Sequence, residues 1–259
     1  MATPAFPKID CYHSLRMGLD LATVRPGEIA VVESPKRLQP EQGYGYIRAL
    51  WWLWLAEGRS VLSVPPGAGD GVRRAVAHLK SEEAVHDPQI TERLKAPVNA
   101  ALRQVGVHEI DRALNDLCFA CNGSLLRRHA LGPCVRLTDE SIPAAEGLRL
   151  PTHCFPAGIA YGVIVDGKAV SIAFAHRTGV MEDEVADIGI ETAEGYRRRG
   201  YAKTAVSAVA AHVIDRGGEA RYGCSPENYA SVATARSVGF VPYGRSLVLS
   251  APCRSDARS

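Results

Sequence analysis

The feature that most restricts the fold is the order of signals across residues 159–249. Two β-rich runs, 159–165 and 169–175, flank Asp166-Gly167, and an Asp-Gly pair supplies the positive φ values that a type I′ hairpin turn needs. A third strand is expected at 185–192 (VADIGIET). Its alternation puts Asp187, Gly189 and Glu191 on one face and Ala186, Ile188, Ile190 and Thr192 on the other. The stretch GYRRRG follows, then a helix over 201–215 with Ala202, Val206, Val209 and Val213 at helical spacing, stopped by Gly217-Gly218. A short strand at 219–224, a helix at 228–238 closed by Gly239 and a strand at 240–249 complete the order. This succession predicts an α/β domain, with its boundary in the polar, Gly-Pro-containing stretch near residues 126–136.

The preceding part, residues 1–130, reads as a separate α/β region without a motif of its own. Strands are expected at 29–34 and 61–64. Helices are expected at 44–56, where Trp51, Trp52 and Trp54 lie, at 72–80 after the breaker PPGAG, and over most of 98–126. No internal repeat or low-complexity tract is visible.

Charge and cysteine usage narrow the classes of function. A formal net charge of +2 on 259 residues argues against a bulk polyanion binder. Seven cysteines, irregularly spaced, do not make a disulfide scaffold, and a reducing, cytoplasmic setting is the simpler expectation. The N-terminus lacks a basic-then-apolar signal layout, and the longest apolar run, 49–56, is far shorter than the roughly 20 residues that cross a bilayer. No membrane partner is expected. Cys118 and Cys121 have C-x-x-C spacing, but no second pair follows, so buried thiols on adjacent helical turns are the expectation and no metal is called for. Cys224 is read as a core thiol and His176 as a structural residue at the end of the hairpin.

The triplet Arg197-Arg198-Arg199 admits two readings. A solvated basic turn would suit nucleic acid, but the loop has no interleaved aromatic residues and the composition is near neutral, so no nucleic-acid partner is expected. Its place between a strand and a helix start favours an anion instead, because the first N–H groups of a helix lack intrahelical partners and the dipole is positive there. Gly200 lets the backbone approach a phosphate, Ala202 and Tyr201 complete the turn into the helix, and Lys203 and Thr204 can add donors. Neither G-x-G-x-x-G nor G-x-x-x-x-G-K-[ST] is present here.

Arg197 to Ala202 resembles the R/Q-x-x-G-x-G/A signature of the GNAT N-acetyltransferase superfamily. Asn228, Ser231 and Gly239-Phe240 resemble that family's N-x-x-[SA]-x(7)-G-F block. The resemblance covers about 134–250, looks most like the zwittermicin-resistance subgroup, and implies a GNAT domain over 131–252. Such a domain is a mixed, strongly twisted sheet flanked by helices. Residues 1–130 would then be a degenerate half of the same fold or a substrate-shaping domain.

The resemblance also implies chemistry. Acetyl-CoA is the cosubstrate, its pyrophosphate held by Arg197, Arg198, Arg199, Gly200, Tyr201, Ala202, Lys203 and Thr204. A neutral amine attacks the thioester carbonyl, the C–N bond forms, the C–S bond breaks and a thiolate leaves. Glu191, with Asp187 second, is the candidate base for the amine proton. Backbone N–H groups at Ile190 and Thr192 are the candidate oxyanion donors. Asn228 and Ser231 would meet the pantetheine arm, with helix capping as the plainer role of Asn228. The family's usual proton-donating Tyr is replaced by Ala235, which leaves the acid unassigned and keeps a non-catalytic acyl-CoA-binding regulatory module as the alternative. A small-molecule amine is the expected partner, and the pattern leaves room for a homodimer.

Overall fold

The computed structural model describes residues 5–41, 45–79, 85, 87–139, 142–151 and 158–253. Its elements in chain order are α1 (Pro7–Met17), β1 (Ile29–Glu33), β2 (Tyr46–Leu55), β3 (Ser60–Val64), α2 (Gly69–Val76), α3 (Pro88–Gln104), β4 (Arg112–Cys121), β5 (Cys134–Arg136), β6 (Ala160–Val165), β7 (Lys168–Ala175), β8 (Val185–Thr192), α4 (Tyr201–Ile214), β9 (Glu219–Cys224), α5 (Tyr229–Val238) and β10 (Val241–Pro252). They form two compact units, each discontinuous in sequence. The first comprises residues 1–9 and 119–242, the second 10–118 and 243–259. The expected boundary at 130/131 therefore lies inside the first unit. No helix among the described residues is long and apolar enough to cross a membrane.

In the first unit the strands run in the order β9-β8-β7-β6-β5. The β6–β7 hairpin turns at Asp166 (φ 49°) and Gly167 (φ 74°), both left-handed as the Asp-Gly pair requires. β7 and β8 pair antiparallel, and β8 and β9 pair parallel. α4 buries Val206, Val209, Ala210 and Val213, whose modest bulk lets the helix lie close on β6, β7 and β8. α5 is capped at its start by the Asn228 side chain, which accepts the Ser231 N–H at 3.1 Å. It is closed by Gly239 at φ 102°.

The stretch read as the domain boundary is tied down. The Arg127 N–H donates to the Val238 carbonyl at 2.8 Å, and the His129 N–H donates to Ser207 Oγ at 3.1 Å. The Leu131 N–H donates to Thr204 Oγ1 at 3.1 Å, and Arg128 pairs with Asp215.

In the second unit the order is β1-β3-β2-β10-β4, with β1 and β3 parallel and β2 antiparallel to both β3 and β10. Here the structure corrects the sequence reading. Residues 46–55 are a strand, not a helix, because almost every side chain from Leu50 to Leu55 is buried, so neither a 3.6 nor a 2.0 periodicity can show. Trp52 and Trp54 join Leu62, Val72, Leu94 and Leu247 in one core cluster, and the Trp52 indole donates to Ser60 Oγ at 2.8 Å. Residues 98–126 are not one helix either. α3 ends at Gln104 before Gly106 (φ 68°), and the chain resumes as β4.

Cys118 and Cys121 therefore sit on a strand, where a spacing of three puts them on opposite faces, and the expected adjacent helical turns do not exist. Burial pushes the Cys121 thiol up to about 12, away from the thiolate that redox or metal chemistry uses. The six cysteines among the described residues are free thiols, and Cys154 lies outside the described residues.

Gly239 offers a clean test of the α5 closure. A Cβ there would stand 2.0 Å from the Leu125 carbonyl oxygen, at a φ that L side chains rarely adopt. Gly239→Ala is expected to lower stability by about 1–3 kcal/mol from backbone strain alone, with the clash adding to it. A urea melt reads this directly, and an unchanged midpoint would contradict it.

Candidate functional site

The site begins where β8 ends. After Thr192 a single 3-10 turn, Glu194–Tyr196, brings the chain to an extended Arg197, then to Arg198 in the left-handed region (φ 61°) and Gly200 at φ 85°. α4 starts at the next residue. The Lys203 and Thr204 N–H groups bond back to the Gly200 carbonyl at 3.1 and 3.4 Å. Among the described residues the N–H groups of Arg198, Arg199, Gly200, Tyr201 and Ala202 have no acceptor. Successive unpaired donors at the positive end of a helix, bent by two left-handed residues, make a concave anion cradle. An open recess beside it is lined by Glu194, Gly195, Arg197, Arg198 and Arg199. A side chain at Gly200 would intrude, since its Cβ would sit 3.2 Å from Leu131 Cδ2.

The side chains of the loop divide into two groups. Arg198 is exposed at the recess, and Lys203 is half-buried on the first turn of α4. Arg197 turns back, its Nε donating to the Thr192 carbonyl at 3.3 Å and fixing the loop to the strand end. Arg199 lies over the Tyr196 ring, 5.4 Å from its centroid. Thr204 is buried, and its hydroxyl accepts the Leu131 N–H. Its place is in the packing of α4, not at the mouth of the cradle.

β8 contributes a backbone edge. The β8–β9 ladder ends at Ile188 opposite Tyr222, whereas β8 stays paired with β7 as far as Thr192. The His176 N–H donates to the Asp187 carbonyl at 2.8 Å and the Ala193 N–H to the Val170 carbonyl at 3.0 Å. Antiparallel alternation from these bonds points the N–H and C=O groups of Ile190 and Thr192 away from β7, into the side where β9 has diverged. Asn228 and Ser231, at the start of α5, come next after β9 in the chain.

The two candidate carboxylates differ sharply. Asp187 is buried and ion-paired with Arg221, its cross-strand partner on β9. Glu191 is exposed on the same face. Between them Gly189 makes room for rings from β7. A Cβ there would come within 2.8 Å of both His176 Nε2 and Phe174 Cζ. His176, read from sequence as a hairpin residue, thus lies on the face that carries both carboxylates.

One residue that sequence reasoning passed over is Tyr222, at the last β8–β9 pair. Burial pushes its phenol up to about 12. Its position at the end of a ladder is a tertiary fact with no local sequence signal. Ala235 is fully buried within α5 and offers no hydroxyl.

A strand end opening onto a glycine-containing row of unpaired N–H groups, where the ladder to the parallel neighbour stops, is suited to an anion beside an unpaired strand edge. Comparison with known proteins gives the class. Residues 149–245 match the family model described as GNAT acetyltransferase, which bears out the family resemblance over this segment and supports an acyltransferase as the class of enzyme. The match names the family and does not distinguish the zwittermicin-resistance subgroup within it.

Among solved structures, a protein from Novosphingobium aromaticivorans described as a GNAT-family acetyltransferase is 21% identical with a TM-score of 0.47. That alignment covers 57% of this chain and 68% of the other. A GNAT-family acetyltransferase from Colwellia psychrerythraea is 16% identical with a TM-score of 0.42, covering 60% and 62%. A GCN5-related N-acetyltransferase from Kribbella flavida is 18% identical with a TM-score of 0.40, covering 59% and 63%. This chain thus spans roughly two thirds of the length of each. No curated protein matches it.

The contrast between the carboxylates is testable by stability. Removing one partner of a buried ion pair costs about 3–5 kcal/mol, so Asp187→Ala and Arg221→Met should each lower the denaturation midpoint strongly. Glu191→Gln should stay within about 0.5 kcal/mol of the parent. A stable Asp187→Ala protein would remove the structural role assigned to that pair.

Proposed function

We propose that this chain transfers an acetyl group from acetyl-CoA to a primary amine of a small-molecule acceptor, by direct attack in a ternary complex. The observation that carries the reading is the row of unpaired N–H groups from Arg198 to Ala202 beside the divergent β8 edge. These donors suit a pyrophosphate, with the Arg198 and Lys203 charges completing the cradle. The bound cosubstrate supplies an activated thioester, and the remaining work falls to the protein. The backbone edge at Ile190 and Thr192 provides donors for the developing oxyanion. Glu191 takes the amine proton, directly or through a water, because it is the exposed carboxylate while Asp187 is committed to Arg221. Tyr222 keeps its proton throughout the neutral range and is the donor we assign to the role that Ala235 vacates. Asn228 caps α5 and presents its remaining amide at the start of that helix. The free thiols agree with a cytoplasmic setting, and neither nucleic acid nor membrane enters the reading.

Two measurements test it. A thiol-release assay with acetyl-CoA over a broad amine library should find an acceptor, and with that acceptor Glu191→Gln should lower kcat about 10²–10⁴-fold. Gly200→Glu places a side chain at φ 85° and a negative charge in the cradle. It should weaken acetyl-CoA binding by about 10–100-fold, the worth of at least one charge-assisted contact. Unchanged affinity in that variant would dismiss the cradle.

The buried alanine at position 235 favours one alternative, a non-catalytic acyl-CoA-binding regulatory module. That reading requires acetyl-CoA to bind with no thiol release from any amine and no effect of Glu191→Gln.

A further inference from the structure

The second unit holds a cluster of cations that the proposed acetyl transfer does not use. Arg16, Arg37 and Arg48 surround one indole, their guanidinium carbons 5.6, 5.7 and 5.1 Å from the Trp51 ring centroid. Glu41 serves two of them. It accepts from Arg16 Nη2 at 2.6 and 2.7 Å and pairs with Arg48 at 3.6 Å. Burial raises the Glu41 carboxyl, but Arg48 and Arg16 outweigh it and hold the group below the usual carboxylate range.

Arg37 is treated differently. It is 2% exposed, and among the described residues only Nη2 is engaged, donating to the Arg16 carbonyl at 2.7 Å. Its Nε and Nη1 are buried with no acceptor, and no carboxylate lies within ion-pair distance of it among the described residues. An arginine cannot escape this position by losing its proton at neutral pH. Burial and the neighbouring Arg16 lower Arg37 only to about 9, with Glu41 pulling the other way. A ring face softens the cost of burying a cation but supplies no hydrogen-bond acceptor. The edge of the cluster reaches solvent, since the Arg16 and Arg48 side chains are 12% and 19% exposed.

We infer that this cluster is a binding site for the oxyanion of a small metabolite, a carboxylate or phosphate group that accepts from Arg37 with Arg16 and Arg48 alongside. Planar guanidinium donors match both groups, and three of them around one indole give a single anion more than one charge-assisted contact. Glu41 pairs with two of the three arginines and reaches Arg37 only through its charge, which leaves Arg37 Nε and Nη1 without an acceptor among the described residues.

The test uses the chain's own reporters. All three tryptophans, Trp51, Trp52 and Trp54, lie in this unit, so their fluorescence reads it without contribution from the acetyl-transfer site. The full chain is titrated with inorganic phosphate in one arm and with succinate in another, at constant ionic strength. A saturable change in tryptophan emission is expected in at least one arm, and the arm that responds tells phosphate from carboxylate. Arg37→Met should weaken the response at least about 10-fold, the loss of a charged contact. Arg48→Met, at a more exposed position, provides the same test if Arg37→Met fails to fold. Gly200→Glu should leave the response intact. Silence in both arms, or a response that persists in the arginine variants, would overturn the assignment, as would one lost in Gly200→Glu.

Discussion

The parallel ladder between β8 and β9 runs from Val185–Glu219 to Ile188–Tyr222 and then stops, while β8 continues beside β7 for a further turn of residues. Much of the candidate site follows from that stop. The Asp187–Arg221 pair sits one position before it, buried between the two strands, and in a low-dielectric setting an opposed pair in register holds them together up to that point. Beyond it, the Ile190 and Thr192 N–H groups face away from β7, while the Thr192 carbonyl accepts from Arg197 Nε. The same strand end launches the loop whose unpaired N–H groups open α4. A continuous ladder would consume the edge and leave a cradle with nothing reactive beside it.

The two units use their strand-to-helix turns in opposite ways. In the first, the start of α4 leaves five N–H groups without acceptors among the described residues. In the second, the Pro-Pro-Gly-Ala-Gly turn after β3 also leads into a helix start, but the Glu33 carboxylate accepts the Gly69 N–H at 2.8 Å. A built-in carboxylate satisfies the same helix end that a ligand would otherwise seek. Similar local geometry thus carries opposite meaning according to one acidic residue on a neighbouring strand.

Legibility from sequence tracked how local each signal was. The Asp166-Gly167 hairpin, the Asn228 cap, the Gly239 closure and the glycine at the α4 start are each decided within a few residues, and each was readable. The tryptophan-rich strand was not, because burial on both faces removes the periodicity by which a strand declares itself. The carboxylates show the same divide. Alternation placed Asp187 and Glu191 on one face correctly, yet only a partner 34 residues away, Arg221, separates the buried one from the exposed one. Thr204 looked like a loop donor because its neighbours are. Its bond to Leu131 spans 73 residues. Tyr222 gave no signal at all, since the end of a ladder is written in neither strand alone.

β10 carries a consequence for how the chain is made. It pairs with β2 along nearly its whole length, yet the residues of these two strands are separated by most of the polypeptide. During synthesis β2 emerges well before its partner, so Trp51, Trp52 and Trp54 must wait with one strand edge unsatisfied until β10 has been made. Pairing at such separation is slow to form, and an apolar edge left open is a template for wrong partners. The first unit, nearly contiguous from residue 119 to 242, has no such wait. Folding during synthesis is therefore asymmetric, because the unit that contains β2 stays open until β10 has been made, after the residues of the other unit.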